Sequence, residues 1–436
     1  MAVILENELA ELIAAHEKYL RGESGGRRLD MSLQTGHELD FSRRNLSGAE
    51  FTGSFLKHAD FKYAKLRQAN FFGTVLNNSC FLEADLTQAD MRGAQLQGVN
   101  FTNAILNEAN LADGALLRQQ QGGGIGPVHN IDVRLRLYDA VFKNATAQRT
   151  KFSSALALST DLSLANFKGA KLTGVNFTGS NMRGATFEQA DLRGCNFTNA
   201  NMNSVILLHA NLDGAVFDGA DLTASLVHVE DVEARTFSHA KMTRSLENLE
   251  YSIKEIIANH RVWVNTLGRE GKRAEIVGLN LSRVALDGVQ LQAASLQQSL
   301  LNGASFIGAV FTMSDLSGCN AREASFAKAD CRGINLSMAS LESADLQSIN
   351  CSPMLISGSL KPIEWPANFA GANLQNARMR GADLRGARFE TAMLADADLR
   401  DANLEGASFL DANLTGADLR GAKLDKADMR GALGVR

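Results

Sequence analysis

Proline is scarce in this chain: only four of its 436 residues are proline. They fall in two short segments, at Pro127 and at Pro353, Pro362 and Pro366. Because proline lacks the backbone N–H that a hydrogen-bond ladder needs, the proline-free remainder can form continuous ladders. The two proline-bearing segments are therefore predicted to be insertions. The first contains a glutamine- and glycine-rich stretch at residues 119–124 that predicts a flexible loop.

Long apolar runs and a basic leader are also missing. No stretch approaches the ~18 consecutive apolar residues of a membrane span, and residues 1–8 lack the positive charge of a signal peptide. The 44 basic and 48 acidic residues leave a net charge of −4, so direct nucleic-acid binding is not expected. The composition predicts a cytoplasmic protein without a membrane segment.

The five cysteines all occupy positions inside the repeats described below. Cys331 and Cys351 are twenty residues apart, a separation that a coiled backbone could bring within reach of a disulfide. The favoured interpretation is that all five are reduced and fill the core, as free cysteines do in cytoplasmic proteins.

The residues of a catalytic or metal site do not converge in the sequence. Of the eight histidines, His209, His228 and His239 come closest to a cluster, but they hold different positions within their repeats. They should not stack, so no metal site is predicted. Residues 122–124 are all glycine, yet no Lys-Ser/Thr pair follows them as a phosphate-binding loop requires. We therefore expect no enzyme activity, no catalytic residue and no cofactor.

What the chain has in abundance is a period of five. A large apolar residue stands at every fifth position from Phe41 to Leu116, and a small residue such as Ala59 or Ala64 precedes it by two. Three further arrays of this kind cover residues 137–242, 276–351 and 369–429. Five fits neither the 3.6-residue period of a helix nor the two-residue period of a strand, which indicates a repeat architecture.

Phenylalanine adds a second period of twenty residues, or four fives. The predicted core ladder consists of Phe41, Phe61, Phe81, Phe101, Phe177, Phe197, Phe217, Phe237, Phe369, Phe389 and Phe409. The simplest geometry is a coil with four five-residue sides, in which each phenylalanine lies above the one from the previous coil. Large and small residues then both point inward, and backbone hydrogen bonds join coils about 4.8 Å apart. The predicted fold class is an all-β solenoid with four sides.

The repeat unit itself, A(D/N)LXX, resembles the pentapeptide-repeat family. It reads Ala-Asp-Leu-Arg-Gly at residues 190–194 and again at 417–421. The resemblance covers most of the chain and implies a right-handed quadrilateral β-helix, which agrees with the four-sided coil.

Two helix signals divide the chain into two copies of one plan. Residues 11–16 (ELIAAH) match residues 255–260 (EIIANH), and Tyr19 then matches Trp263. We interpret both segments as capping helices, because an open coil end exposes apolar side chains and unpaired backbone groups. His16 and His260 are expected to form a helix-to-coil hydrogen bond, with a binding role as the alternative. The second helix either interrupts the stack of coils, which we favour, or lies beside a continuous one.

These signals give four predicted segments. An N-terminal cap and lead-in occupies residues 1–30, and the first solenoid occupies 31–242 with an insertion at 117–136. A second capping or linker helix occupies 243–275, and the second solenoid occupies 276–436 with an insertion at 352–366. No cap follows the last array, so the sequence predicts that a homodimer forms through the C-terminal coil.

Two surface features are candidate partner-binding residues. Arg380, Arg400 and Arg420 are twenty apart and should form a cationic column, although Asp398 and Asp418 on the same side should neutralise it. Trp365 lies in the proline-bearing insertion and is either an exposed anchor for a partner or packed against the coil.

The sequence favours a non-enzymatic scaffold that binds another macromolecule, most simply a protein, through its faces and inserted loops. The family resemblance implies a bacterial source and one alternative, a DNA mimic that protects DNA gyrase. The chain departs from that mimic type because it is nearly neutral and carries an internal cap. A secreted bacterial effector is a further alternative.

Overall fold

The computed structural model describes residue 4 and residues 6–112, 117–119, 125–127, 137, 140–143, 145–152, 157–227, 236–244, 251–356 and 363–434. The chain forms two compact units. Unit 1 comprises Met1–Leu222 and Leu226–Lys241, and unit 2 comprises Thr223–Ser225 and Met242–Arg436.

Regular elements are few because most of the backbone is in turns joined by single β-bridges. The helices are α1 (Glu6–Leu20) and α2 (Ile253–Asn265). The strands are β1 (Asn110–Leu111), β2 (Leu117–Gln119), β3 (Ile125–Pro127), β4 (Lys151–Phe152), β5 (Asp221–Leu222), β6 (Lys241–Met242), β7 (Met354–Ile356) and β8 (Ile363–Trp365). In the part of the chain that the structure covers, no helix has the length and apolar character needed to cross a membrane.

Each coil of either unit has four five-residue sides, as the period predicts. Parallel bridges join residues twenty apart on successive sides, for example Asp40 with Asp60 and Asn45 with Lys65. Between bridges the backbone makes a four-residue turn, such as the one in which the Ala49 N–H donates to the Leu46 carbonyl at 3.0 Å. The third turn residue is left-handed, as at Gly48 with φ +70°, which sets the corner.

The aspartate or asparagine of the motif stabilises this turn. Its side-chain oxygen accepts the backbone N–H two residues later, as between Asp40 Oδ1 and Ser42 N at 2.8 Å, or Asn196 Oδ1 and Thr198 N at 2.9 Å. Short polar side chains are favoured in such turns because they satisfy a backbone donor locally. The motif therefore encodes one corner of the coil in each five residues.

Stacked aromatic rings fill much of the core. Phe61 lies between Phe41 and Phe81 with ring centroids 4.6 Å from each, and it meets Phe51 edge-on at 5.8 Å. The predicted ladder residues are fully buried except Phe237, which is half-buried and tilted by 52° against Phe217. The small residues two positions before the large ones, such as Ala59, are buried as well.

The two insertions leave the coil without ending it. The bridge register jumps from twenty residues to 41 at Asn100–Val141 and to 33 at Asn335–Asn368, and then returns to twenty. In the first insertion, which the sequence predicts to be a flexible loop, β2 and β3 pair antiparallel from Leu117–Pro127 to Gln119–Ile125. The glutamine- and glycine-rich residues 120–124, on which that prediction depends, lie outside the described residues. In the second insertion, β7 and β8 form a similar hairpin.

Candidate interaction surfaces

The arginine column on the surface of unit 2 is an alternating row of charges. Arg400 Nη2 lies 2.7 Å from Asp398 Oδ2, and Arg420 Nη2 lies 2.6 Å from Asp418 Oδ2. Arg380 Nε lies 3.1 Å from Asp401 Oδ2. The hydrogen bond from Arg420 lowers the pKa of Asp418 from its ordinary 3.8 to about 2. The three predicted residues therefore stand in one column, and each is paired with a carboxylate.

The same Asp-x-Arg pairing recurs on other sides of both units. Each aspartate accepts a bidentate bond from the arginine two residues later, in Asp90–Arg92, Asp191–Arg193, Asp330–Arg332, Asp383–Arg385 and Asp428–Arg430. Exposed pairs of this kind contribute little to stability. They do give the coil faces closely alternating charge.

The β7–β8 hairpin carries the most exposed apolar side chains of the second insertion. Leu355, Ile363 and Trp365 are 61%, 55% and 50% exposed. Trp365 also packs on the coil, because a Cβ added at Gly333 would lie only 3.1 Å from its Cδ1. Trp365 is therefore half-exposed, with one edge of its ring packed on the coil.

A groove of about 570 Å³ runs between this hairpin and the neighbouring coils. Its lining includes Leu355 and Glu364 from the hairpin, and Gly386, Glu405, Gly406 and Lys426 from the coils. The groove is open to solvent, and its floor is formed by turn glycines.

The two helices attach to their units through equivalent histidines. The Leu29 N–H donates to His16 Nδ1 at 2.9 Å, and the Ala274 N–H donates to His260 Nδ1 at 3.0 Å. Both imidazoles are fully buried, and burial lowers the pKa of His16 and of His260. His260 also stacks on Trp263 with ring centroids 5.5 Å apart. At its N-terminus, α2 begins with a capping box between Ser252 and Glu255.

Beside each helix lies a groove that the sequence did not predict, of about 360 Å³ in unit 1 and about 490 Å³ in unit 2. The two linings share four equivalent positions, which are Leu12, Arg27, Arg28 and Asp30 in unit 1, and Ile256, Lys272, Arg273 and Glu275 in unit 2. They differ elsewhere, since Glu8 and Glu11 line only the first groove and Tyr251 and Gly271 only the second. An alignment of the two helix segments indicates the basic residues of these grooves, because Arg27-Arg28 aligns with Lys272-Arg273.

The histidines and cysteines form no reactive cluster among the residues described. His239 Nδ1 lies 3.1 Å from Asp218 Oδ1, while His228 falls outside the described residues. No group of three or more His, Cys, Asp or Glu side chains there could hold a metal ion. All five cysteines are free, and burial raises the pKa of Cys195 and Cys319 to about 12.

Comparison with known proteins identifies the repeat. A family model described as pentapeptide repeats matches residues 40–78, 79–116, 160–199, 195–225, 285–320, 367–401 and 392–431, more than half of the chain. No curated protein matches the chain.

Several solved structures are similar to it. HetL, a pentapeptide repeat protein involved in heterocyst differentiation regulation from the cyanobacterium Nostoc, is 19% identical over 96% of this chain and 94% of its own, with a TM-score of 0.13. Full-length QnrB1, a plasmid-mediated fluoroquinolone resistance protein, is 14% identical over 90% and 93%, with a TM-score of 0.18. Rfr23, a pentapeptide repeat protein from the cyanobacterium Cyanothece, is 25% identical over 28% and 85%, with a TM-score of 0.14.

Proposed function

The chain belongs to the pentapeptide-repeat family, and from that premise we propose that it is a non-enzymatic scaffold that binds another protein. The binding surfaces include the coil faces and the inserted hairpins, and among them we expect the β7–β8 hairpin to select the partner. The observation that carries the proposal is the β7–β8 hairpin, which presents large apolar side chains at 50–61% exposure beside an open groove. Exposed apolar clusters on an otherwise polar surface are typical of interaction sites.

The coil supports this role because it is stiff. Its backbone ladder repeats side after side, as in the bonds from Phe61 N to Cys80 O at 2.7 Å and from Leu66 N to Asp85 O at 2.7 Å. A backbone held in this way loses little conformational entropy when a partner binds, which favours recognition by a repeat protein.

The alternative function is a DNA mimic that binds DNA gyrase. A mimic needs a continuous acidic face, since a duplex presents closely spaced negative charge. The Asp-x-Arg pairs weigh against such a face because they place an arginine beside many of the outward aspartates, as at Asp398–Arg400. No observation favours the mimic over the scaffold.

We place the scaffold in the cytoplasm because its five cysteines are free, as is usual in a reducing compartment. We also propose that α1 and α2 cap the first coil of their units, supported by the His16 and His260 hydrogen bonds. Self-association is a separate proposal. Leu419, Leu424 and Met429 in the last array are only half-buried, so a second copy could cover them.

An affinity capture from bacterial lysate tests the function. Three baits are compared: the whole chain, a variant in which residues 354–365 are replaced by a short Gly-Ser linker, and a control with the same replacement at 117–127. A protein retained by the whole chain and the control, but not by the hairpin variant, is the expected result. Gyrase retained equally by all three baits would favour the mimic, and no specific protein on any bait would contradict the scaffold. Light scattering of the whole chain at micromolar concentration tests self-association, which a monomeric mass would exclude.

A further inference from the structure

Two buried thiols meet in the core of unit 2. Cys331 and Cys351 hold the same inward position on consecutive coils, and both side chains are fully buried. The residues before them, Asp330 and Asn350, form a parallel bridge, and the Cys331 N–H donates to the Asn350 carbonyl at 2.7 Å. The thiols also contact each other. Burial first, and then a hydrogen bond with the Cys331 thiol, raises the pKa of Cys351 well above its ordinary value.

The spacing of the coils permits a disulfide between these two residues, although not a relaxed one. Corresponding atoms of adjacent parallel strands lie about 4.8 Å apart. Disulfides join residues whose Cα atoms are about 4.4–6.8 Å apart, but a relaxed bond needs Cβ atoms about 3.5–4.5 Å apart. The coil spacing meets the first condition and exceeds the second. Strained disulfides are reduced more readily than relaxed ones, so the geometry favours a reversible bond over a permanent one.

The chain beside Cys351 gives the pair a route to solvent. Ser352 and Pro353, which follow it directly, line the open groove of about 570 Å³ beside the β7–β8 hairpin. Among the described residues, no backbone hydrogen bond joins residues 352–356 or 363–365 to the coil. A two-stranded ribbon is marginally stable alone, so this hairpin is the element most prone to local opening. While the coil is closed, the raised pKa keeps Cys351 unreactive, because a thiol reacts as its thiolate.

We propose that Cys331 and Cys351 form a redox-sensitive anchor for the β7–β8 hairpin. In a reducing compartment the pair stays as thiols. When a low-molecular-weight disulfide such as oxidised glutathione accumulates, the pair joins in a disulfide that ties the start of the hairpin to the preceding coil. This inference does not depend on the scaffold function, because the bond forms whether or not a partner binds the hairpin.

The oxidation proceeds by thiol–disulfide exchange in two steps. The Cys351 thiolate attacks one sulfur of the small disulfide and releases one small thiolate, which leaves a mixed disulfide on the protein. The Cys331 thiolate then attacks the Cys351 sulfur and releases the second small thiolate. The two protein thiols thereby lose two electrons and two protons, and the small disulfide takes them up to become two thiols.

Peptide mapping of the whole chain tests the bond. The protein is incubated folded with oxidised glutathione, or refolded from urea in its presence, and the remaining thiols are alkylated before digestion without reductant. Trypsin cleaves after Arg332, between the two cysteines, so the disulfide joins two peptides that separate on reduction. We expect the joined peptides under both conditions, and about tenfold or more slowly from the folded protein, because its thiols are buried.

Cys319 supplies the matched control. It is buried and free as well, but the equivalent residues of the adjacent coils, 299 and 339, are serine and alanine. Cys319→Ser should leave the Cys331–Cys351 linkage unchanged. Absence of the linkage under both conditions, or linkage of Cys319 to either residue in equal yield, would overturn the proposal.

Hydrogen exchange by mass spectrometry tests the anchoring and needs no substitution, because oxidised and reduced wild-type protein are compared. Exchange of residues 352–356 and 363–365 should be about tenfold slower after oxidation, since a closed loop restricts the opened states. The same treatment of Cys351→Ser should leave exchange unchanged. Excess reduced glutathione should restore both the thiols and the faster exchange. Unchanged exchange in the linked protein would overturn the anchor, and a linkage that resists reduction would overturn the reversible switch.

Discussion

The buried hydrogen bond of His260 predicts that unit 2 loses stability in mild acid. The Ala274 N–H donates to His260 Nδ1 at 3.0 Å, so that nitrogen must carry no proton. Protonation would place a second N–H against the first and leave a positive charge in a fully buried ring. The pKa of His260 lies below its ordinary value of 6.5, mainly because the ring is buried and also because of the positive charge of Arg273. A hydrogen bond to the backbone of Gln292 opposes this shift.

The sign and size of the effect follow from this shift. Above pH 6.5 the imidazole is neutral in both the folded and the unfolded chain, so the stability of unit 2 is at its full value. As the pH falls below 6.5, the unfolded chain takes up the proton first. The free energy of unfolding should then fall by up to about 1.4 kcal/mol per pH unit, until the lower pKa of the folded state is reached.

The substitution His260→Phe separates the hydrogen bond from the general effect of acid. It keeps a ring beside Trp263 but leaves the buried Ala274 N–H without an acceptor, which should cost about 1–3 kcal/mol at neutral pH. The substitution should also remove the pH dependence of the free energy of unfolding of unit 2 between pH 7.5 and pH 5. His37→Phe is the control, because His37 is exposed and should change neither quantity.

Urea unfolding, followed by tryptophan fluorescence at several pH values, measures the free energy of unfolding of unit 2 and its dependence on pH. Trp263 lies 5.5 Å from the His260 ring and reports on unit 2 once the other tryptophan is removed by Trp365→Phe. A free energy of unfolding that stays constant from pH 7.5 to 5, or a His260→Phe variant that keeps the wild-type slope, would refute the reasoning.

Three further predictions concern the core, the surface pairs and the thiols. Phe61→Ala should destabilise unit 1 by about 3–5 kcal/mol, because the ring is fully buried between two stacked neighbours, while Phe61→Leu should cost much less. Hydrogen exchange by mass spectrometry would show the loss of stability in unit 1. An equal loss of stability for Phe61→Ala and Phe61→Leu would contradict the prediction. The carboxyl of Asp428, whose pKa the bond from Arg430 lowers to about 2, should titrate closer to 3.8 in Arg430→Ala. Carbon-13 NMR would follow the titration of this carboxyl group. Because its pKa is lowered in the folded state, the pair contributes stability above pH 4 and loses that contribution toward pH 2. An unchanged titration in Arg430→Ala would disprove the pairing in solution. A thiol reagent should modify half-buried Cys80 in the native protein, but Cys319, whose pKa burial raises to about 12, only in urea. Rapid native labelling of Cys319 would contradict its burial.

The coil and its core could be predicted from the sequence because every fifth residue carries the same constraint. Phe61 has to be large and Ala59 small wherever the coil turns, and the twenty-residue spacing gives the stacking partners directly. The arginine column was predictable for the same reason, although its pairing depends on rotamers that spacing does not fix. The hairpins were not predictable: β7 and β8 have three residues each, too few for an alternating pattern to be recognised. The half-burial of Phe237 likewise has no signal in the period.

The same regularity explains where specificity has to lie. A repeated core makes each coil nearly identical to the next, and its outward positions carry paired charges such as Asp383–Arg385. Such faces differ little from one another in shape or charge, so they offer few grounds for selecting a partner. A concave surface arises where the bridge register jumps from twenty residues to 33, because the extra residues fold back over the coil as β7 and β8. There Leu355 and Glu364 face Gly406 and Glu405 across a groove that no uninterrupted coil could form. The departures from the repeat, more than the repeat itself, are therefore where recognition by this protein is expected.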